Sequence, residues 1–385
     1  MNEIRIALRN VGKIDPMSIE DYIKAGGYEA LKQARTMDRG ELIVTIEETS
    51  RLRGRGGAAF PTGKKWSSAF KNDSEEKYIV CNADEGEPGT YKDRVIMEGD
   101  PHTVIEGILI GAYAVGAKEC FIYVRGEYEN SIKLLRNAVK QAEDKGLCGD
   151  TVIKVVSGAG AYVCGEGTAI VNSLEGVRGE PRLKPPSMAV AGLHKKPTIV
   201  NNVETFAVIP EIITKGADWF GAIGSEKYPG TKLMCMSGDV VNKVCVEVPT
   251  NATLRDVVEG FGVGVANGKK LKAIQLGGSS CGFVTPDQLD TPIDFDSIRA
   301  IGASLGSGAV YVIDETRNIV DILAEIMERF AAGNGTKADI ELIKSMSDYM
   351  RMSCFCPLGQ SATTAFMSAL KLFPEDFDAK LRKEA

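Results

Sequence analysis

Between about residue 50 and residue 222 the chain alternates strand-like apolar runs with helical spacing. The runs at 78–82, 120–124 and 152–156 read as strands, and the segments 104–115 and 132–145 repeat their apolar residues at helical intervals. Strand, helix, strand in that rhythm predicts a mainly parallel sheet whose loops gather at the carboxyl ends of its strands. Ahead of it lies a lead-in, with a short strand expected at 4–8 and helical patterns at 19–30 and 42–49. Near Lys232 the texture changes: residues 233–238 and 244–248 look like paired strands, 253–261 a short helix and 273–276 another strand. From 318 helical periodicity takes over, first in Ile319, Ile322, Leu323, Ile326 and Met327, then in Ile340, Ile343 and Met346, then over 365–372. Gly333 and Gly335 break the first of these helices from the second, so the end of the chain reads as a small helical bundle.

Composition narrows the function classes. At 385 residues the chain is too long for one ordinary core and suits two or three domains. Its hydrophobic share of 44% with 25% charged residues is that of a soluble globular protein. A net charge of −6, without a basic stripe, argues against nucleic acid as the main partner. No run of roughly 18 apolar residues appears, and Met1-Asn2-Glu3-Ile4-Arg5 lacks the apolar core of a signal peptide. The expectation is a cytoplasmic protein, free or peripheral on a larger assembly, with no direct membrane insertion. Nine cysteines without regular spacing read as reduced thiols, and Cys235, Cys245 and Cys281 are most simply buried ones. His102 follows Asp100-Pro101 at a helix start and His194 sits in a loop, so the only two histidines do not form a metal pair.

Candidate chemistry begins at Gly54-Arg55-Gly56-Gly57-Ala58-Ala59-Phe60-Pro61-Thr62-Gly63-Lys64-Lys65-Trp66. Glycines free the backbone N–H groups to press against a phosphate or a flat ring. Arg55, Lys64 and Lys65 add cations, and Phe60 and Trp66 offer apolar faces for a base or a flavin ring. Neither Gly-x-Gly-x-x-Gly nor Gly-x-x-x-x-Gly-Lys-Ser/Thr is present, so the stretch alone is balanced between a nucleotide cradle and a tight surface turn. Three further stretches shift that balance. They are Cys81-Asn82-Ala83-Asp84-Glu85-Gly86-Glu87-Pro88-Gly89-Thr90-Tyr91-Lys92-Asp93-Arg94, then Gly158-Ala159-Gly160-Ala161-Tyr162-Val163-Cys164-Gly165-Glu166-Gly167-Thr168-Ala169, then Asn201-Asn202-Val203-Glu204-Thr205. Together the four resemble the flavin-bearing, NADH-oxidising subunit of respiratory complex I, the 51 kDa family, shared with NAD-linked hydrogenases and formate dehydrogenases.

The resemblance implies a Rossmann-like FMN- and dinucleotide-binding α/β domain over 1–222. It implies a small ubiquitin-like, β-grasp domain over 223–313, and over 314–385 a helical bundle that holds a cluster in relatives. Matching motif to motif places FMN contacts on Gly54, Arg55, Gly56, Gly57, Phe60, Lys65, Asn82, Asp84, Glu85, Tyr162, Gly165, Glu166, Asn201, Asn202 and Thr205. These types suit the ligand, because phosphate wants backbone donors and a cation while ribityl hydroxyls want amides and carboxylates. The bland alternative is that Asn82, Asp84 and Asn201 merely shape turns. Hydride would pass between the nicotinamide of NADH or NADPH and FMN beside Gly86 and Glu87.

Departures from the family pattern fall on the dinucleotide and cluster sites. Phe60 matches one adenine-stacking aromatic, but Ser68 stands where relatives commonly carry a second, and Ser187-Met188 replaces a Phe-Pro that brings a third. Each lost stacking contact costs about 1–3 kcal/mol. Gly167 stands where the family writes Gly-Glu-Glu-Thr, removing a carboxylate of the kind that bonds an NAD ribose and repels a 2′-phosphate. A [4Fe–4S] cluster needs four thiolates, yet only Cys356 matches, with Cys354 beside it, and no cysteine lies between Thr316 and Gly333. The triple-cysteine segment looks deleted, and a cluster is expected only if a partner completes it around Cys354 and Cys356. Two function readings follow. One is an FMN-binding subunit of an NAD(P)H-linked oxidoreductase complex, with an iron–sulfur protein among its partner subunits. The other is a flavoprotein scaffold subunit, non-catalytic or of altered specificity, that has lost dinucleotide and cluster binding.

Overall fold

The computed structural model of the protein describes residues 2–322, 332–354 and 356–381. The chain falls into two compact units, Asn2–Leu233 with Cys245–Asn251, and Met234–Val244 with Ala252–Ala385.

The first unit is built on a parallel sheet of β1 (Tyr78–Ala83), β2 (Glu119–Val124), β3 (Val152–Ser157) and β4 (Thr198–Asn202), in the order β3-β2-β1-β4. Tyr78 lies opposite both Glu119 and Thr198, so β1 is central. Parallel neighbours need crossovers, and helices supply them: Lys92–Gly99 and Pro101–Val115 lead to β2, Glu129–Asp144 to β3 and Gly167–Leu174 to β4. The helix Pro101–Val115 is buried at nearly every position. It starts at Asp100, whose carboxylate accepts from Thr103 N, continues with a proline whose missing N–H costs nothing there, and stops at left-handed Gly116. It packs so closely on the helix Val203–Lys215 that a Cβ on Gly107 would lie 2.1 Å from the Phe206 carbonyl oxygen.

The lead-in differs from expectation. Residues 4–8 run irregularly into a turn that begins at Ala7 rather than forming a strand, because the N–H groups of Ile6, Ala7 and Leu8 donate to the buried carboxylate of Glu247 at 2.9, 3.0 and 2.9 Å. The helical pattern at 19–30 divides into Ile19–Lys24 and Glu29–Ala34 around Gly26 and Tyr28, both at positive φ. The pattern at 42–49 becomes an α-helix, Arg39–Val44, that runs on as a wider turn over Thr45–Thr49.

In the second unit the end of β5 (Thr231–Gly238) pairs parallel with β9 (Ala309–Asp314), which pairs antiparallel with β7 (Leu271–Leu276), itself antiparallel to β8 (Phe283–Val284). The strand expected at 244–248 is β6 (Cys245–Pro249), which belongs to the first unit. Helices Lys337–Ser353, Pro357–Ser361, Thr364–Leu372 and Pro374–Asp378 follow, and Phe366, Ala369, Phe373 and Phe377 pack with Phe283, Ile313, Ile319 and Val320. Of the first expected helix, Ile319–Ile322 is helical, while Leu323, Ile326 and Met327 lie outside the described residues.

Candidate functional site

The motif stretches after β1 and β3 and at the end of β4 converge with the glycine loop at the carboxyl edge of the parallel sheet. Asn82 Nδ2 donates to the Gly165 carbonyl at 2.9 Å, and Asn202 Nδ2 donates to the Asn82 carbonyl at 3.2 Å. The Arg55 N–H donates to Thr205 Oγ1 at 2.9 Å, and a Cβ on Gly56 would come 3.0 Å from Asn202 Cβ, so the loop needs glycine there to lie against β4. A Cβ on Gly86 would come 3.0 Å from the Tyr162 ring, and the Tyr162 hydroxyl donates to Glu87 Oε2 on the rim.

Several predicted ligands are already spent on holding these loops. Glu85 accepts from the N–H groups of Asp93 and Arg94 at 3.0 and 3.2 Å, capping the helix Lys92–Gly99, and from the Tyr128 hydroxyl at 3.2 Å. Burial and the neighbouring Asp93 push its carboxyl up to about 7. Glu166 caps the helix Gly167–Leu174 through Thr168 N and Ala169 N at 2.8 and 3.1 Å. Asn202 Oδ1 accepts from Lys92 Nζ and Glu204 N, and its amide donates to Asp93. The Arg55 side chain is a correction: it is fully buried, its Nη2 donates to the Pro229 carbonyl at 2.5 Å, and burial lowers its pKa to about 10. Only the backbone of Arg55 lines the loop. Trp66 is a second correction. It is 0% exposed and its indole abuts Gly111 in the core helix, so it presents no face to a ring.

Other groups remain open. Asp84 Oδ2 and Asn201 Oδ1 are buried without a hydrogen-bond partner among the described residues. A buried acceptor left unmade costs about 1–3 kcal/mol, so each calls for a donor from outside the chain. Burial lifts the Asp84 carboxyl to about 6. Lys65 Nζ donates to the Val200 carbonyl at 3.1 Å and lies 5.8 Å from the Phe60 ring centroid, with no carboxylate in ion-pair distance among the described residues. Burial, with Lys184 nearby, lowers its pKa to about 8. Phe60 and Tyr162 are exposed on the rim, and Gly56 and Gly57 lie at the accessible part of the loop. Two buried acceptors, one under-matched cation and an open glycine backbone fit the hydroxyls, ring N–H and phosphate of FMN.

Beneath the site sits a buried charge cluster that motif reading missed. Lys92 Nζ lies 2.6 Å from Asp93 Oδ1 and 3.2 Å from Glu204 Oε2, and Glu204 also takes Lys232 Nζ at 2.6 Å. Against the cost of burial, Asp93 and Glu204 hold Lys92 protonated. The available signal was the run Lys92-Asp93 inside a motif that leads into a helix. His102 is a core group, bonded to the Tyr28 hydroxyl at 2.8 Å and to Gln141 at 3.1 Å, with burial lowering its pKa to about 4.

The Nuo51 FMN-binding domain model matches residues 48–211, which hold all four motif stretches, and the model of the NADH-ubiquinone oxidoreductase-F iron–sulfur binding region matches 317–380. The NADP-reducing hydrogenase subunit HndC of Solidesulfovibrio fructosivorans is 43% identical over 410 residues, spanning 98% of this chain and 83% of that protein. The chain belongs to the complex I 51 kDa family. An NADH-quinone oxidoreductase subunit of Rhizobium meliloti (strain 1021) is 40% identical, with 98% of each chain covered. The crystal structure of an NAD+-reducing [NiFe]-hydrogenase superposes with a TM-score of 0.85 at 32% identity, over 93% of this chain and 65% of that one. This member of the 51 kDa family keeps the mixed α/β fold with its parallel sheet. A Cβ on Gly167 would lie 2.9 Å from Met188 Cε, so the end of a methionine side chain lies against this glycine.

Proposed function

We propose that the chain is the FMN-binding subunit of an NAD(P)H-linked, complex-I-like or hydrogenase-like oxidoreductase, and that it passes electrons on to partner subunits, an iron–sulfur protein among them. The observation that carries this is the meeting of four motif stretches around two unpartnered buried acceptors and an under-matched lysine. Bound FMN supplies a ring that accepts hydride as an electron pair and releases electrons singly. The chain's own residues bind and orient it. Lys65 and the N–H groups of Gly56 and Gly57 take the phosphate, and Asp84 and Asn201 accept hydrogen bonds from the ribityl or ring donors. Gly86, Glu87 and Tyr162 form the rim where a nicotinamide would approach. Glu85, Glu166, Asn202 and Thr205 keep these groups in place, and position is most of what hydride transfer requires.

The division into 1–222, 223–313 and 314–385, with a β-grasp sheet in the middle and a helical bundle last, belongs to this reading. It is supported by the change from an all-parallel to a mixed sheet and by the C-terminal run of helices. Among the described residues no helix is long and apolar enough to cross a membrane, which suits a subunit held on the cytoplasmic face of a larger complex by protein contacts.

One observation favours a second reading of the dinucleotide. With Gly167 in place of an acidic residue and Met188 over it, the helix Gly167–Leu174 lacks the charge that would repel a 2′-phosphate. NADPH then becomes a substrate, in keeping with the name of the hydrogenase relative. An anaerobic visible spectrum of the purified chain, before and after NADH and then NADPH, tests both readings. Bleaching of the flavin band by NADH supports the first, and bleaching by NADPH alone makes Gly167 a specificity position. A flavin band unmoved by either overturns the dehydrogenase reading and leaves the scaffold.

A further inference from the structure

We infer that this chain assembles no iron–sulfur cluster of its own, and that Cys354 and Cys356 stand in its C-terminal unit as a thiol pair without further ligands. The inference rests on the flavin-binding reading above and is separable from it by experiment. A [4Fe–4S] cluster is held by four cysteine thiolates. The iron–sulfur region model spans 317–380, yet in that span the sequence holds only Cys354 and Cys356 and no histidine. Residues 323–331 lie outside the described ones, but they contain no cysteine either. The match to HndC runs over 410 residues, more than the 385 of this chain, so the relative carries positions that have no counterpart here.

Substitute ligands do not come from elsewhere. Cys81, Cys120, Cys148, Cys164 and Cys235 are buried in the cores. Among the described residues no three His, Cys, Asp or Glu side chains gather as a metal site. Cys245 and Cys281 are half-buried and lie outside the matched region, and of the two sulfurs within it that of Cys356 takes a backbone hydrogen bond. Cys354 ends the helix Lys337–Ser353, and its carbonyl accepts from Gln360 Nε2 at 2.8 Å. Cys356 begins the next helix, its Sγ accepting from Gly359 N at 3.4 Å. A Cβ on Gly359 would lie 2.9 Å from Cys354 Sγ and 3.8 Å from Cys356 Sγ, so both sulfurs close on that glycine. Two thiolates, one engaged by a backbone N–H, cannot encage a cubane without ligands from another chain.

The test uses the full chain, purified anaerobically with its flavin and incubated with ferrous iron and sulfide. Iron and acid-labile sulfide are counted after desalting, and iodoacetamide labelling of Cys354 and Cys356 is read by mass spectrometry before and after. The expected result is flavin retained, iron and sulfide at background, and labelling of both cysteines unchanged. About four irons and four sulfides per chain, with both cysteines protected, would overturn the inference. Iron with matching sulfide overturns the inference whether it persists in the double variant C354S/C356S or is lost with the pair, whereas iron without sulfide that persists in that variant is adventitious and agrees with it. Bleaching by NADH or NADPH in the same preparation reads the proposed flavin role independently. A chain that bleaches yet holds four irons sinks this inference alone, and one that holds neither iron nor a reducible flavin sinks the other.

Discussion

Replacing Lys65 with Met is expected to weaken FMN binding while leaving riboflavin, which lacks the phosphate, nearly unaffected. In the ligand-free chain the ammonium has one carbonyl partner, at 3.1 Å, and burial beside Lys184 has already lowered its pKa to about 8. Such a cation is matched only when an anion arrives. A hydrogen bond to a charged group contributes about 1.5–3 kcal/mol. At 1.4 kcal/mol per factor of ten, that is roughly 10- to 100-fold in Kd. Methionine keeps most of the stem, so packing against Phe60 survives. The assay is quenching of flavin fluorescence on titrating flavin-stripped protein, with FMN and riboflavin in parallel. Equal weakening of both flavins, or of neither, would refute the assignment of Lys65 to the phosphate.

The pH dependence gives an independent check, with signs that separate binding from folding. Phosphate binding needs the protonated lysine, so FMN affinity is full below about pH 8 and falls as pH rises through that value. The Lys65→Met variant is flat there. Stability of the ligand-free chain moves oppositely. The unfolded lysine keeps its proton up to about 10.5, so the unfolded state binds more protons between pH 8 and 10.5 and stability rises across that window. An affinity loss that merely tracked unfolding would therefore have the wrong sign.

Three further predictions follow from the same geometry. Burial holds the Asp84 carboxyl at about 6, so affinity for FMN and riboflavin alike should rise as pH rises through 6, and Asp84→Asn should abolish the rise; a rise that persists in the variant assigns it elsewhere. Ala59 adopts φ 50°, a left-handed conformation that strains an L-residue, so Ala59→Gly should stabilise the first unit by about 1 kcal/mol in urea unfolding. An unchanged or lower midpoint would show that the loop relaxes without cost. Lys232→Met should destabilise that unit by about 3 kcal/mol, since it strips one of two cations from the buried Glu204; a loss under about 1 kcal/mol would mean Lys92 alone suffices.

How much of this was legible depended on how local its cause was. Strands β1, β2 and β3 stood out because each is a short apolar run set off by polar residues. Strand β4 did not, because Asn201 and Asn202 end it and read as site chemistry before they read as strand. The helix Thr62–Phe70 was hidden for a related reason: its buried residues include Thr62 and Gly63 beside Trp66 and Ala69, so no apolar period shows. Residues 4–8 alternate like a strand, but what decides their shape is the Glu247 carboxylate far along the chain. No local window contains that information.

The candidate site shows the same division at the level of single atoms. Motif matching gathers residues by type and order, and cannot tell a carboxylate that faces a ligand from one that caps a helix. Glu166 is the N-cap of its helix and Glu85 reaches the first turn of the helix that begins at Lys92, where backbone N–H groups lack intrahelical partners, and so each is already claimed. Asp84, one residue before Glu85, is left with an unpartnered oxygen. Arg55 and Lys65 divide likewise, the first drawn into the core towards the Pro229 carbonyl, the second left at the loop with its charge under-matched. The long motif therefore carries two tasks at once: some of its polar residues fasten the loops to the sheet edge, and the remainder, held rigid by them, are kept unsatisfied until a flavin arrives.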